Sequence, residues 1–198
     1  MKIRLKYNSP LILSYTFFCL LIVLLSTFLF GENKMGGLND IQIYFSVGGG
    51  FDWSHPVAYF RLFSHIAGHA DFPHFFGNFM LILLLGPILE EKYGWKLLLF
   101  MILVTAFLTG LIQTIFLSGA LLGASGIVFL LIVLSSLMNF KTGDIPITFI
   151  LVTLLYVGKE FFSAAANPND GISHFAHILG GICGGVFGFL EGRKDVDE

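Results

Sequence analysis

The sequence predicts an all-α integral membrane protein, a bundle of six transmembrane helices, and three observations carry that expectation. Of 198 residues, 56% are hydrophobic and only 12% are charged, with a mean hydropathy of +0.83. A soluble domain is about a quarter charged. A core of this size cannot hide that much apolar surface from water, so lipid must be the solvent for much of it. The apolar residues fall into six runs, at about 11–30, 73–89, 97–117, 121–140, 145–162 and 173–190. Each is near the ~17–25 residues that a spanning helix requires. The short alternating strands of a membrane barrel do not occur in the pattern. The chain, 1–198, reads as a single membrane domain.

The first run follows a basic head, MKIRLK, and no small-x-small cleavage site comes after it. It is therefore expected to be a retained helix and not a removed signal. A long first loop, 31–72, is rich in glycine and aromatic residues. Its mixed character places it at the membrane interface. EEKYGWK reads as a tight charged turn between the second and third runs, LSGALLG as a short uncharged connection, KTGD as another turn, and AAANPNDG as a loop built from breakers. Cys19 and Cys183 lie inside apolar runs without disulfide or metal-ligand spacing and read as core residues. No basic stripe marks a nucleic-acid partner.

Orientation follows from the cations. An even number of spans puts both termini on one side. Lys2, Arg4, Lys6, Lys92, Lys96, Lys141, Arg193 and Lys194 fall on that side, against Lys34, Arg61 and Lys159 on the other. This bias places both termini in the cytoplasm. A compact chain without a targeting extension is expected in a bacterial inner membrane.

With that orientation the second, fourth and sixth helices all start near the outer face. His74 and Asn78 open the second, Ser125 the fourth, and His174 and His177 the sixth. Ser125 and His177 are expected three to five residues into their helices, about 4–8 Å deep. Three polar clusters far apart in sequence thus share one depth, and polar groups inside a membrane are costly enough to imply function.

A serine needs a base within hydrogen-bond reach to act as a nucleophile, and a neutral histidine is the usual one. Ser125 and His177 supply that pair if the fourth and sixth helices approach closely. Gly126, Gly180, Gly184 and Gly188 make such an approach feasible. The Ser125 N–H at a helix start, the His74 ring and the Asn78 amide are candidate donors to a developing oxyanion. Glu90 and Glu91 sit at the far end of the second helix and Glu160 belongs to the fifth, so no intramembrane carboxylate is expected to orient the base. The expected unit is a Ser–His dyad.

The ordered set HADFPHFFGN, GASG and AHILGG resembles the rhomboid intramembrane serine proteases, whose second, fourth and sixth helices open on HxxxN, GxSG and AHxxG motifs. RLFSH, with the following His69, resembles that family's first-loop pattern, and LEEKYG its turn after the second helix. The resemblance covers about residues 56–190. It implies a rhomboid-type bundle with Ser125 as nucleophile and His177 as base. His74, Asn78 and the Ser125 N–H would form the oxyanion hole, with Gly123 near it. It implies cleavage of peptide bonds in or near transmembrane segments of membrane proteins, through a covalent acyl-enzyme. Two positions depart from the pattern. Phe60 replaces a frequent Trp, and Phe129 replaces a frequent Tyr, keeping the face that stacks on the histidine.

Other polar residues have plainer readings. Ser135 and Ser136 are backbone-bonded helix serines, His174 is a surface-side neighbour, and Glu90 is a helix-end contact. Arg61, His65 and His69 hold the first loop. The histidines lack an HExxH motif, and Asp71 is the only carboxylate expected near them, which argues against zinc. No metal or other cofactor is implied. A non-cutting relative would be expected to lack the serine or histidine. A transporter would place polar residues in both halves of a pathway.

Overall fold

The computed structural model describes residues 7–31, 38–48, 51–52, 54–138, 144–166 and 173–197. Helix α1 spans Pro10–Phe30, followed by the short α2, Asp40–Tyr44, and strand β1, Val47–Gly48. Helix α3, Pro56–Ser64, runs into a single 3₁₀ turn, His65–Ala67. Then come α4, Phe72–Phe116, strand β2, Ala120–Leu121, and helices α5, Ser125–Ser136, α6, Ile147–Ala166, and α7, His174–Asp197. Lys2, Arg4, Lys6, Lys34 and Lys141 of the charge count lie outside the described residues. So do most of the KTGD turn and residues 167–171 of the AAANPNDG loop.

Among the described residues, three helices are long and apolar enough to cross a membrane: Pro10–Phe30, Phe72–Phe116 and His174–Gly192. Their outer faces support that reading. Phe28, on α1, is 88% and Met80, on α4, 72% exposed, a side-chain choice that suits lipid and not water.

The second and third apolar runs fall on the two halves of α4, and the connection between them lies inside the expected turn but is only one residue long. EEKYGWK is helical on both sides of one residue, Gly94, with φ 75° and ψ 153°. Glu, Lys and Tyr tolerate a helix, so the composition reads as a turn while the backbone breaks only where glycine permits a positive φ.

The start of α5 is also corrected. The apolar run begins at 121, but Ala120–Leu121 pairs antiparallel with Val47–Gly48, Leu121 opposite Val47 and Ala120 opposite Gly48. Gly123 then adopts φ 128°, and the helix begins at Ser125 itself. From there Gly126 to Leu134 are buried without interruption, which makes α5 the central helix.

Glu90 ties α4 to the start of α1. Its carboxylate accepts from the Ser9 hydroxyl and from the backbone N–H groups of Leu11 at 2.9 Å and Ile12 at 3.0 Å. Those N–H groups have no partner within their own helix, and their dipole favours an anion. Glu90 is 6% exposed, so its loss strands buried donors. Glu90→Ala is expected to destabilise the fold by about 2 kcal/mol, read as a lower melting temperature in detergent. An unchanged melting temperature would remove Glu90 from this role.

Candidate active site

The first loop is held as its residues suggest. Arg61 Nε donates to the Ser46 carbonyl at 2.6 Å, and Ser64 Oγ to that of Tyr44 at 2.7 Å. His65 Nδ1 lies 3.3 Å from the Arg61 carbonyl, and its Nε2 lies 3.3 Å from Thr109 Oγ1 on α4. His69 Nδ1 lies 3.3 Å from the Ala67 carbonyl. Burial pushes the His65 imidazole down to about 4 and that of His69 to about 3. Both rings are therefore neutral spacers at physiological pH.

This loop positions what lies beyond it. The His65 carbonyl accepts from the Gly123 N–H at 2.9 Å, two residues before Ser125. Gly123 rests against α4 so closely that a Cβ there would lie 2.8 Å from His74 Nε2 and 3.8 Å from Asn78 Nδ2. At φ 128° glycine is required twice over, by conformation and by space. Asp71 caps α4, accepting from the His74 N–H at 2.7 Å. His74 and Asn78 then follow at i and i+4 on one face. Asn78 Nδ2 is buried and has no hydrogen-bond partner among the described residues.

Ser125, His177, His74, Asn78 and Ser173 line one cavity of about 390 Å³. The residues singled out in the sequence from three separate segments therefore meet. Ser125 is the first residue of α5, less deep in its helix than expected, while His177 is in the first turn of α7. A larger cleft, of about 560 Å³, lies by Pro10, Glu90 and Gly94 and has no serine–histidine pair among its lining residues.

The His177 ring lies flat on Phe129 of α5, with centroids 4.6 Å apart and planes 9° apart. Tyr156 of α6 meets the same phenylalanine edge-on at 5.4 Å. The position where Phe stands for Tyr thus keeps its stacking face.

One expectation is overturned. A carboxylate does reach the histidine: Glu160 Oε2 lies 2.8 Å from His177 Nδ1 and 2.8 Å from His174 Nδ1. Glu160 is 3% exposed. The sequence places it seventeen residues from His177 on another helix, and nothing in apolar periodicity fixes how α6 is rotated toward α7. One signal was available. A lone carboxylate in an apolar run needs a partner, and Tyr156 and Glu160 share one helix face at i and i+4. His174, read as a surface neighbour, is half-buried and engaged by the same oxygen.

The fold and site define an α-helical integral membrane protein with a serine and a histidine brought together from separate helices. Residues 56–194 match the Rhomboid domain. Rhomboid protease GlpG of Haemophilus influenzae is 26% identical over 136 residues, covering 67% of this chain and 70% of the relative. The chain belongs to the rhomboid family and is a serine protease.

Proposed function

We propose that this protease is a six-span intramembrane endopeptidase that cuts membrane proteins in or near their transmembrane segments, using Ser125 as nucleophile and His177 as base. The observation that carries this reading is the convergence of Ser125, His177, His74 and Asn78 on one cavity. Ser125 Oγ attacks the scissile carbonyl as its proton passes to His177 Nε2. The oxyanion is received by Asn78 Nδ2, the His74 ring and the Ser125 N–H, with Gly123 keeping the space between them open. Asn78 Nδ2 suits that task, being a buried donor without a partner among the described residues. His177 then gives its proton to the leaving amine, and water hydrolyses the acyl-enzyme.

The six spans are α1, the two halves of α4 (72–93 and 95–116), α5, α6 and α7, in one domain. Each half of α4 rises about 33 Å, enough for the hydrocarbon layer, whereas the twelve residues of α5 rise only about 18 Å. Ser125 would thus stop below the outer surface, reached by water through residues 117–124. The cation bias supports cytoplasmic termini, and similarity to a relative from Haemophilus influenzae supports a bacterial membrane, the inner one in this reading. Substrates would be helices that unwind readily, since a helix hides its carbonyls.

A serine-reactive phosphonate tests the nucleophile. One adduct is expected, on Ser125 by peptide mass mapping, and it should be lost in His177→Ala. Asn78→Ala should still label, with kcat on a transmembrane reporter about 10²-fold lower. An adduct on Ser173, Ser135 or Ser136 instead, or none, would overturn the assignment.

A further inference from the structure

Glu160 carries an inference of its own, resting on the reading of Ser125 and His177 as nucleophile and base. A carboxylate buried to this degree is unfavourable unless hydrogen bonds compensate it. Here two do, from the Nδ1 atoms of His174 and His177, both at 2.8 Å to one oxygen. A carboxylate oxygen accepts and does not donate, so both rings carry a proton on Nδ1. For neutral His177 that fixes the tautomer and leaves the lone pair on Nε2. Phe129 sets the plane of the same ring. The plane comes from α5 and the Nδ1 edge from α6, and together they leave the base one orientation.

We propose that Glu160 is a positioning residue for His177, holding its Nδ1–H tautomer and stabilising the imidazolium formed when Nε2 takes the Ser125 proton. The proton balance is simple. Ser125 Oγ–H transfers to His177 Nε2. The Nδ1–H stays on the ring, donated to a carboxylate that remains ionised. The Nε2 proton later leaves with the amine. His174 takes part by donating to the same carboxylate oxygen. The base on α7 is then competent only while α6 lies against it, so the catalytic unit spans three helices.

Two rival roles for Glu160 give different results. It could be a mere tie between α6 and α7, whose release would ease substrate entry and raise the rate. The three donor atoms also lie within 4.8 Å of one another, close enough to hold a metal ion. The full chain in liposomes is assayed on a transmembrane reporter as wild type, Glu160→Ala, Glu160→Gln and His177→Ala, each with and without a chelator. Phosphonate labelling of Ser125 and melting temperature are read in parallel.

Glu160→Ala is expected to lower kcat about 10²-fold with KM changed less than about twofold, and to slow labelling in step. Glu160→Gln matches the carboxylate in shape but carries no charge, and should fall between it and wild type with an unchanged melting temperature. That partial rescue separates positioning from folding. If Glu160→Ala fails to fold, Glu160→Gln decides. A folded Glu160→Gln with wild-type kcat, or a faster Glu160→Ala, overturns the proposal. So does a wild type silenced by chelator and revived by Zn²⁺. An active His177→Ala would instead overturn the base assignment itself.

Discussion

Gly180→Val is expected to abolish cleavage and to lower the melting temperature, although the side chain touches no reacting group. Helices α5 and α7 meet backbone to backbone. A Cβ at Gly180 would overlap the Gly126 carbonyl oxygen and lie 2.9 Å from the Gly126 carbonyl carbon, and one at Gly184 would lie 2.5 Å from the Leu130 oxygen. None of these atoms is the end of a flexible side chain, so the helices themselves must separate. Overpacking of this kind costs about 1–3 kcal/mol. The greater loss is in rate, because Ser125 opens one helix and His177 the other, and a displacement of about 1 Å costs about 10²-fold. Gly181→Ala is the control. Its Cβ would lie 3.5 Å from Val133 Cγ2, an ordinary contact, so activity and melting temperature should stay near wild type. Equal losses at both positions would show that the close approach is not what matters.

Much of the fold was legible because spanning helices announce themselves by composition. The runs 11–30, 145–162 and 173–190 each fall on one helix, and 73–89 and 97–117 on the halves of α4. What stayed hidden depended on single residues or single pairs. Hydropathy cannot tell Leu121 in a two-residue strand from Leu121 in a helix, so the run 121–140 reads as starting four residues before α5 does. The strand it pairs with, Val47–Gly48, is too short to show alternation. The break at Gly94 rests on one glycine in a stretch that otherwise suits a helix.

The site divides in the same way. The order of the polar clusters along the chain was enough to bring His74, Asn78, Ser125 and His177 to one end of the bundle, and the structure has them lining one cavity. The contact of Glu160 with His177 was not legible. It depends on the rotation of α6 about its axis, which two aromatic and apolar faces leave undetermined until α7 is in place. The hold of the His65 carbonyl on Gly123 was hidden for another reason, since a backbone acceptor leaves no mark on residue identity.

The other large effect lies at the proposed nucleophile and base. Ser125→Ala removes the attacking oxygen, and His177→Ala removes the only group placed to take its proton in the proposed mechanism. Each is expected to lower kcat by about 10³-fold or more, and the double variant should be no worse than either, because members of one catalytic unit are not additive. A double variant markedly slower than both singles would mean two independent routes to cleavage. The most direct measurement is cleavage of a tagged transmembrane reporter by purified protein in liposomes, with the cut mapped by mass. The Ser125–His177 assignment predicts a cut in or beside the membrane segment by wild type and background levels from Ser125→Ala and His177→Ala. The same cut made by Ser125→Ala at the wild-type rate would contradict it.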